Sequence, residues 1–496
     1  MELQKIAEPG KELDLASLPI EIRRLGERKI PVVPLPFPEQ SQGVSTSMAQ
    51  VKAVMDPAGR LVFEHESNWT QALMAEYKKR RIDLDEMTKY LRWFRKGYPD
   101  TEAIEEDITL AAEMGMKLFR ISGIDPQFVL DPATREPNEA GIQAITNIFR
   151  IAQNHGVQIV FGFLHRETPH SWDWTKPETL SYWNAVAETI LTRLKDQGIQ
   201  PAYLSSITEP LNEIVALGMG KLEPHLPPLL SFIKPAERAK LVAARKNMEQ
   251  FHRDLIVLNR KLYQEQAEPV IVFHGWMPPE NEEATVFDRA AKGFYQDVFN
   301  GGIRSFLAGG DTMLGIYTGG MPYVGFSPFR WRDLPWNLRH RQNPRPEATR
   351  IALAQAAAAF PNVPLVAELG IGEEEQQEHT IQVPYLLQSL AHVAAGLAKK
   401  EFPQPMANFY WTLVPNWEWF DAMKVRYGLA DVDDMGHPSP TIATDVIAAI
   451  TKLQGIPLDW LANKEGYKQA PELLKQLAEE DRLSTPLDIP QRPVLR

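Results

Sequence analysis

Eight short apolar segments rich in β-branched residues recur along the chain, each followed by polar turn residues and most by a helical pattern. Strands are predicted at GVSTSMA (43–49), KLFRIS (117–122), VQIVFGFL (157–164), AYLSSI (202–207), PVIVFHG (269–275), TMLGIY (312–317), VPLVAEL (363–369) and NFYWTLV (408–414). Strands that alternate with helices in this number favour one α/β domain whose parallel strands close into a barrel. The pattern therefore predicts a single (β/α)8 TIM barrel.

Helical patterns between these strands support the same fold. They include residues 105–116, 138–156 and 176–198. The last two end at Gly156 and Gly198, and glycine is the residue that helix C-termini favour. An open doubly wound sheet is the alternative, but no glycine-rich phosphate loop follows an early strand.

Both ends of the chain are predicted to be extensions of the barrel, which occupies residues 39–454. Residues 1–38 include the proline-rich stretch IPVVPLPFP and are expected to pack along the outside of the barrel. Residues 455–496 contain one predicted helix, APELLKQLAEEDR, and a proline-rich tail. No repeat with a period of about 20–50 residues is visible, which excludes solenoids and propellers.

Charge and cysteine content exclude several classes of function. A net charge of −11 argues against a nucleic-acid partner, and the basic cluster at 339–350 is interpreted as a solvated loop. The absence of cysteine excludes thiolate metal sites and a cysteine nucleophile, and it fits a reducing compartment. Residues 1–24 lack the apolar core of a signal peptide, and no apolar run of about 18 residues occurs. We therefore predict a soluble cytoplasmic protein.

Polar side chains occur at or near the ends of seven predicted strands, where the active sites of such barrels lie. They are Gln50 after strand 1, Arg120 in strand 2, His165 after strand 3, Glu209 after strand 4, Tyr317 in strand 6, Glu368 in strand 7 and Glu418 beyond strand 8. Because strands 4 and 7 lie across the barrel from each other, Glu209 and Glu368 are expected to face a shared cavity.

Two opposed carboxylates are the groups that cleavage of a glycosidic bond requires. One protonates the leaving oxygen, and the other attacks or stabilises the anomeric carbon; a separation of about 5–5.5 Å gives retention and about 6.5–9.5 Å inversion. Each residue alone has a simpler interpretation, as a loop hydrogen-bonder or a core side chain. Their co-location beside Trp411, Trp417 and Trp419 favours a carbohydrate pocket, and the sequence leaves the carboxylate separation open.

The same segments resemble the family 1 glycoside hydrolases, the β-glucosidase-like retaining enzymes, over residues 36–445. The similar segments are FPEQSQGVSTSMAQVKAVMDPAGR (37–60), MKLFRISGIDP (116–126), NEAGIQAITNIFRIAQNHGVQIVFGFLHRETP (138–169), PLVAELG (364–370) and WTLVPNWEWFDAMKVRYGLADVD (411–433). The resemblance implies a TIM-barrel enzyme that hydrolyses a β-glucoside or β-galactoside with retention. It implies no metal and no organic cofactor.

The resemblance also implies a role for each candidate residue. Glu368 would be the nucleophile, Glu209 the acid/base, Arg120 the cation that contacts the nucleophile, and Tyr317 its phenol partner. Trp411 would be the platform for the sugar ring. The implied substrate-binding residues are Gln50, His165, Arg166, Thr208, Trp411, Glu418 and Trp419.

The chain departs from the family pattern at several of these positions. Thr208 stands where the family has an asparagine that bonds the sugar 2-hydroxyl, and a threonine can still donate with a shorter reach. Arg166 replaces a tryptophan, which brings a cation near the pocket, while Leu369 and Pro415 replace an asparagine and an aspartate. Glu213 is a rival acid/base, but it lies one helical turn later than the family position.

Glu418 bears on the sugar, because the branch of the family that acts on 6-phosphorylated sugars lacks a glutamate there. We therefore expect a sugar without a 6-phosphate. Glucose and galactose differ at one hydroxyl, and the sequence does not distinguish them. The sequence also leaves the oligomeric state open.

Two other segments suggest alternatives. The apolar, proline-rich segment 221–241, expected to be a loop after strand 4, is interpreted as a packed loop, a wall for an apolar aglycone or a contact with a lipid surface. A plant branch of the resembled family moves galactosyl groups between membrane galactolipids, so the resemblance implies one alternative function, a transglycosidase that moves a β-glycosyl group to a lipid or small-molecule acceptor. A non-catalytic sugar-binding barrel is the other, and the changes at Thr208, Arg166 and Leu369 favour it. The run GEEEQQEH (372–379) is interpreted as an acidic, solvent-facing helix start, in preference to a metal cluster.

Overall fold

Eight parallel strands close into a barrel in the computed structural model of the chain. They are β1 (Gln42–Thr46), β2 (Leu118–Ile121), β3 (Gln158–Leu164), β4 (Tyr203–Thr208), β5 (Val270–Gly275), β6 (Thr312–Tyr317), β7 (Leu365–Leu369) and β8 (Ala407–Trp411). Each pairs with the next along the chain, and β8 pairs with β1 to close the barrel. The prediction of a (β/α)8 TIM barrel is confirmed.

A helix follows every barrel strand in the part of the chain that the structure describes. The helices are α1 (Thr101–Glu113), α2 (Glu139–Asn154), α3 (Pro177–Asp196), α4 (Pro235–Tyr263), α5 (302–307), α6 (Ala348–Ala359), α7 (Gln382–Ala398) and α8 (Ile442–Leu453). The described residues are 13–46, 54–55, 61–62, 101–165, 173–210, 235–275, 302–308, 310–317, 345–373, 378–416, 426–433, 436–463 and 465–483.

Local sequence explains where these elements begin and end. Barrel strands are covered by helices outside and filled by side chains inside, so their sequences are apolar without alternation; in β3 only Gln158 is exposed. The Asn138 side chain accepts a hydrogen bond from the Gly141 N–H at 3.1 Å and caps α2. Gly156 and Gly198 follow α2 and α3 with φ of 68° and 70°, which confirms the predicted glycine C-caps.

The two extensions share one antiparallel sheet. The strand Arg28–Pro34 lies in its centre, between Glu21–Leu25 and Gly455–Pro457. Beyond this sheet lie two further helices, α9 (Leu458–Ala462) and α10 (Ala470–Leu483), and α10 packs against α8. The domain boundaries after residues 38 and 454 remain our proposal. These boundaries place the strands Glu21–Leu25 and Arg28–Pro34 in the N-terminal extension and the strand Gly455–Pro457 in the C-terminal extension.

Short elements complete the described chain. Two-residue strands pair at Val54–Met55 with Leu61–Val62 and at Asp431–Val432 with Pro438–Ser439. Single 3-10 turns lie at Leu15–Ser17, Glu39–Ser41, Pro126–Phe128, Gln264–Gln266 and Gly466–Gln469.

Among the described helices, none is both long and apolar enough to cross a membrane.

An apolar cluster fills the inside of the barrel below the candidate site. Its members are Leu118, Val160, Ala202, Ile271, Phe273, Met313, Val366, Ala407 and Phe409. Side chains alternate along a strand, so Arg120 shares the inner face of β2 with Leu118, and Glu368 shares that of β7 with Val366. The two charged residues therefore lie nearer the carboxyl ends of the strands than this cluster, at the end where barrel active sites lie.

Candidate active site

A buried ion pair lies at the centre of the site. Arg120 on β2 donates from Nη1 to Oε2 of Glu368 on β7 at 2.5 Å, and their side chains are 0% and 5% exposed. The guanidinium carbon of Arg120 lies 3.5 Å from the centroid of the Phe273 ring. Phe273 belongs to the apolar cluster inside the barrel. The aromatic face and the carboxylate together hold the guanidinium in one orientation.

The electrostatics of this pair extend to Glu209. Burial raises the pKa of Glu368 to about 7; the charge of Arg120 opposes that rise, and the charge of Glu209 adds to it. Burial lowers the pKa of the Arg120 guanidinium, while both carboxylates act to raise it. The carboxylates of Glu368 and Glu209 thus interact with the same buried cation and with each other.

Glu209 follows β4 directly in a left-handed backbone conformation, with φ of 55°. Its N–H donates to the Phe273 carbonyl of β5 at 2.8 Å, and the residue is half-buried. A non-glycine residue in this region costs of order 1–3 kcal/mol, and such residues cluster at functional sites. The neighbouring strand therefore holds this carboxylate at the carboxyl end of β4.

Three polar side chains extend the ion pair into a hydrogen-bond network. Nη2 of Arg120 donates to Thr208 Oγ1 at 2.8 Å and to Ser122 Oγ at 3.0 Å. Ser122 Oγ also lies 2.9 Å from His165 Nδ1 and 3.3 Å from Thr208 Oγ1. Because a guanidinium only donates, Thr208 and Ser122 both accept from Arg120. All four side chains are buried, so the network is shielded from water.

Trp411 and Tyr317 end two further strands at the same face. The rings of Trp411 and His165 meet edge to face with centroids 6.0 Å apart. Tyr317, half-buried, ends β6 and is in register with Glu368 on β7. The structure therefore brings the ends of β6 and β8 to either side of the Glu368 strand.

Seven of the predicted site residues fall within the described chain: Glu209, Glu368, Arg120, Tyr317, His165, Thr208 and Trp411. Four others lie outside the described residues: Gln50, Arg166, Glu418 and Trp419. Leu369, one of the departures from the family pattern, is fully buried in the core that surrounds the barrel. That side chain does not join the polar network around Arg120.

Sequence reasoning missed Ser122 and Phe273. Ser122 lies two residues after Arg120, so strand alternation alone would have placed both side chains on the inner face of the barrel. Phe273 carries no comparable signal, because an aromatic residue in an apolar strand is an ordinary core residue.

Among the described residues, no group of three or more histidines, aspartates or glutamates is placed to hold a metal ion.

Three interpretations of individual segments are wrong in part. Residues 348–350, expected to belong to a solvated loop, begin α6, and Thr349 is buried there. Glu373, in the run expected to be a solvent-facing helix start, is fully buried, because its carboxylate pairs with Arg426 and accepts backbone hydrogen bonds. Residues 235–241, expected to be a loop, form the first turns of α4. Pro235 at the first helical position followed by good helix formers explains that helix. Residues 221–234 lie outside the described chain.

Sequence comparison finds a short similarity to known enzymes. No family model matches the chain. A 6-phospho-beta-glucosidase of Clostridium longisporum is 30% identical over 98 residues, which are 19% of this chain and 21% of that protein. The match thus spans about a fifth of the length of that curated relative.

Structural comparison covers most of the chain. A beta-glycosidase from Pyrococcus horikoshii is similar with a TM-score of 0.61 at 19% identity, covering 87% of this chain and 98% of that one. A family 1 β-glucosidase from Thermotoga maritima has a TM-score of 0.60 at 16% identity, covering 85% and 98%. At such identities the likeness shows the fold.

Fold and site together define a (β/α)8-barrel protein with a buried arginine–carboxylate pair at the carboxyl ends of its strands. The short sequence match and the shared barrel confirm the resemblance to the family 1 glycoside hydrolases that the motifs indicate.

Proposed function

We propose that the chain is a retaining β-glycosidase that hydrolyses a β-glucoside or a β-galactoside by double displacement. The observation that carries the proposal is the buried Glu368 carboxylate, held by Arg120 and interacting electrostatically with Glu209. A β-glycosidase needs two such carboxylates with different tasks. The buried cation favours the ionised form of the carboxylate that it contacts, which suits a nucleophile.

In the first step, the Glu368 oxygen attacks the anomeric carbon while the bond from that carbon to the aglycone oxygen breaks. Glu209 gives its proton to the departing oxygen. In the second step, Glu209 takes a proton from water, and the water oxygen attacks the anomeric carbon and releases Glu368. Two inversions leave the sugar with the configuration it had at the start.

The remaining predicted residues would bind the sugar. Trp411 offers an aromatic face, and His165, fixed through Ser122, offers a polar edge next to it. Thr208 is hydrogen-bonded to Arg120, so it supports the cation as well as any contact with the 2-hydroxyl. Gln50, Arg166, Glu418 and Trp419 remain part of the proposal from the resemblance alone.

The proposed sugar carries no 6-phosphate. The Clostridium relative is named a 6-phospho-beta-glucosidase, so a phosphorylated substrate is the competing possibility. Glu418 favours the neutral sugar, because a carboxylate at the far end of the sugar would repel a phosphate. We propose a small β-glycoside as substrate and the cytoplasm as location. The similar proteins are named as glycosidases, which favours hydrolysis over transfer to a lipid or a non-catalytic role.

The proposal is tested by hydrolysis of aryl β-glucosides and β-galactosides, each with and without a 6-phosphate. Proton NMR of the first product formed gives its anomeric configuration. We expect the β-anomer first, and a loss of at least about 10³-fold in kcat for Glu368→Gln. Glu249→Gln, at a buried glutamate on α4, is the matched control and should keep the wild-type rate. An α-anomer formed first, or full activity in Glu368→Gln, would contradict the proposal.

A further inference from the structure

A second buried ion pair lies a short distance along the chain from Glu368. Glu373 is fully buried, and its carboxylate accepts hydrogen bonds from the N–H groups of His379 at 2.5 Å, Ile381 at 3.2 Å and Gln382 at 3.0 Å. The guanidinium of Arg426 donates to the same carboxylate at 3.2 Å. The carboxylate therefore has several donors, which is the condition under which a buried charge is tolerated.

The main chain joins the same two residues. The Glu373 N–H donates to the Arg426 carbonyl at 3.0 Å, and the Arg426 N–H donates to the Glu373 carbonyl at 2.8 Å. Gln382 at the start of α7 adds a side-chain donor to the Tyr427 carbonyl at 2.7 Å. The chain after β7 and the segment 426–431 are thus held together by both backbone and side chains.

Segment 426–431 in turn supports the chain that follows Trp411. The Thr412 N–H donates to the Tyr427 carbonyl at 3.2 Å, and the Leu429 N–H donates back to the Thr412 carbonyl at 2.9 Å. The Ala430 N–H donates to the Leu413 carbonyl at 2.8 Å. The position of Trp411 at the end of β8 is therefore tied to Arg426.

The ends of β7 and β8 also touch directly. A Cβ atom at Gly370, two residues after Glu368, would lie 2.4 Å from the Trp411 carbonyl oxygen and 3.1 Å from its Cβ. The backbones can approach this closely only because residue 370 is glycine. A shift of the chain after Glu373 would therefore displace both Glu368 and Trp411.

We propose that Glu373 and Arg426 are positioning residues that fix the nucleophile strand and the sugar platform relative to each other; the catalytic part of this inference rests on the proposed function. A buried ion pair adds little net stability over apolar residues of similar volume, because desolvation offsets its attraction. What this pair adds is one defined geometry, since the Glu373 carboxylate accepts three backbone N–H bonds and one bond from Arg426 in this arrangement. Misplacement of reacting groups by about 1 Å can cost of order 10²-fold in rate.

The test compares two truncations, Glu373→Ala and Arg426→Ala, with two conservative variants, Glu373→Gln and Arg426→Lys. Arg350→Ala is the matched control, because Arg350 makes a bidentate pair with Glu401 elsewhere in the protein, at 2.7 and 2.5 Å. The readouts are kcat and KM on the best aryl glycoside, melting temperature, and hydrogen–deuterium exchange of peptides covering residues 411–416 and 426–431.

We expect the truncations to lower kcat by at least about tenfold and to raise amide exchange at 411–416 by a similar factor. Glu373→Gln and Arg426→Lys should lower kcat and raise amide exchange at 411–416 less than the truncations do. A purely structural role would not require kcat and exchange to recover together. Arg350→Ala should melt earlier yet keep kcat, KM and exchange at these peptides within about twofold of wild type.

Folded Glu373 and Arg426 variants with unchanged kcat and unchanged exchange at 411–416 would overturn the proposal. If an alanine variant does not fold, Glu373→Gln and Arg426→Lys decide the question by the same readouts. A wild-type protein without glycosidase activity would refute the proposed function instead. Exchange at 411–416 would then still decide whether the pair positions the end of β8.

Discussion

Nη1 of Arg120 and Oε2 of Glu368 meet at 2.5 Å across the inside of the barrel, joining β2 to β7 where almost no solvent reaches. Arg120 also donates to Thr208 and Ser122, so its cation is fixed by hydrogen bonds on both sides. A charge held in this way is already oriented before substrate binds, and such preorganisation is a large contributor to catalysis.

Replacement of Arg120 by lysine should preserve the charge and destroy the geometry. A lysine has a single ammonium group and cannot reach Glu368 while also bonding Thr208 and Ser122. We expect kcat to fall by about 10²-fold, with a smaller change in KM. Steady-state kinetics on an aryl β-glycoside measures this, with circular dichroism to show that the variant is folded. A kcat within threefold of wild type would show that the pair is not part of the mechanism.

Ser122 links Arg120 to His165 and should matter although it reaches neither carboxylate. Arg120 donates to the Ser122 oxygen. Of the two other contacts of this oxygen, the one to His165 Nδ1 at 2.9 Å is shorter than the one to Thr208 Oγ1 at 3.3 Å. We therefore expect the hydroxyl proton to point to His165 Nδ1. That assignment leaves the proton of a neutral His165 on Nε2. We expect Ser122→Ala to lower kcat/KM by about tenfold, because a hydrogen bond to a charged group is lost. Nitrogen-15 NMR of His165 should show the Nε2–H tautomer in wild type.

The control for this variant lies on β4, two strands along the barrel from β2. Ser205 on β4 is buried, and its hydroxyl has no hydrogen-bond partner in the described structure. Ser205→Ala removes the same atoms from a similar environment and should leave kcat/KM unchanged. Equal losses in the two variants would mean that Ser122 acts only through packing.

Replacement of Glu209 by alanine should make the rate depend on the leaving group. Without an acid, departure of a poor leaving group is unassisted, whereas a nitrophenolate leaves without a proton. We expect a loss of at least about 10²-fold on alkyl glycosides and a much smaller loss in the first step on dinitrophenyl glycosides. Pre-steady-state kinetics separates the two steps. The same loss on both substrates would move the acid role to another residue, with Glu213 the first to test.

The pH dependence should report the protonation of Glu368. Burial raises its pKa to about 7, and only the ionised carboxylate is a nucleophile, so kcat/KM should fall as pH decreases through about 7. Glu209 contributes to the raised pKa. In Glu209→Ala, assayed on an activated substrate, the acidic limb should therefore move to lower pH. An acidic limb in both proteins at the ordinary pKa of an exposed carboxylate would contradict this account of the site.

The barrel could be predicted from sequence because strands buried on both faces are continuous apolar runs, and each observed strand end lies within three residues of the prediction. Strand position places Arg120 and Glu368 near the same end of the barrel, and the resemblance to the family 1 glycoside hydrolases implies that their side chains meet. The resemblance then added a role to each of them.

The supporting contacts could not be predicted in the same way. Glu373 lies in a run of acidic residues, which is typical of a solvated surface, and its partner Arg426 is 53 residues away. Charge patterning along the chain carries no information about such a partner. Thr208 was expected to face the sugar, and its bond to Arg120 depends on side-chain rotamers on two strands that are not neighbours.

The role of Glu368 as nucleophile is tested most sharply by intact mass after incubation with 2-fluoro-2-deoxy β-glucosyl and β-galactosyl donors that carry good leaving groups. The fluorine slows breakdown of the glycosyl enzyme, so the intermediate accumulates. We expect a mass increase of one fluorosugar, mapped by peptide sequencing to Glu368 and absent in Glu368→Gln. An adduct on another residue, or none in a folded protein that hydrolyses the parent glycosides, would contradict the assignment of Glu368 as the nucleophile.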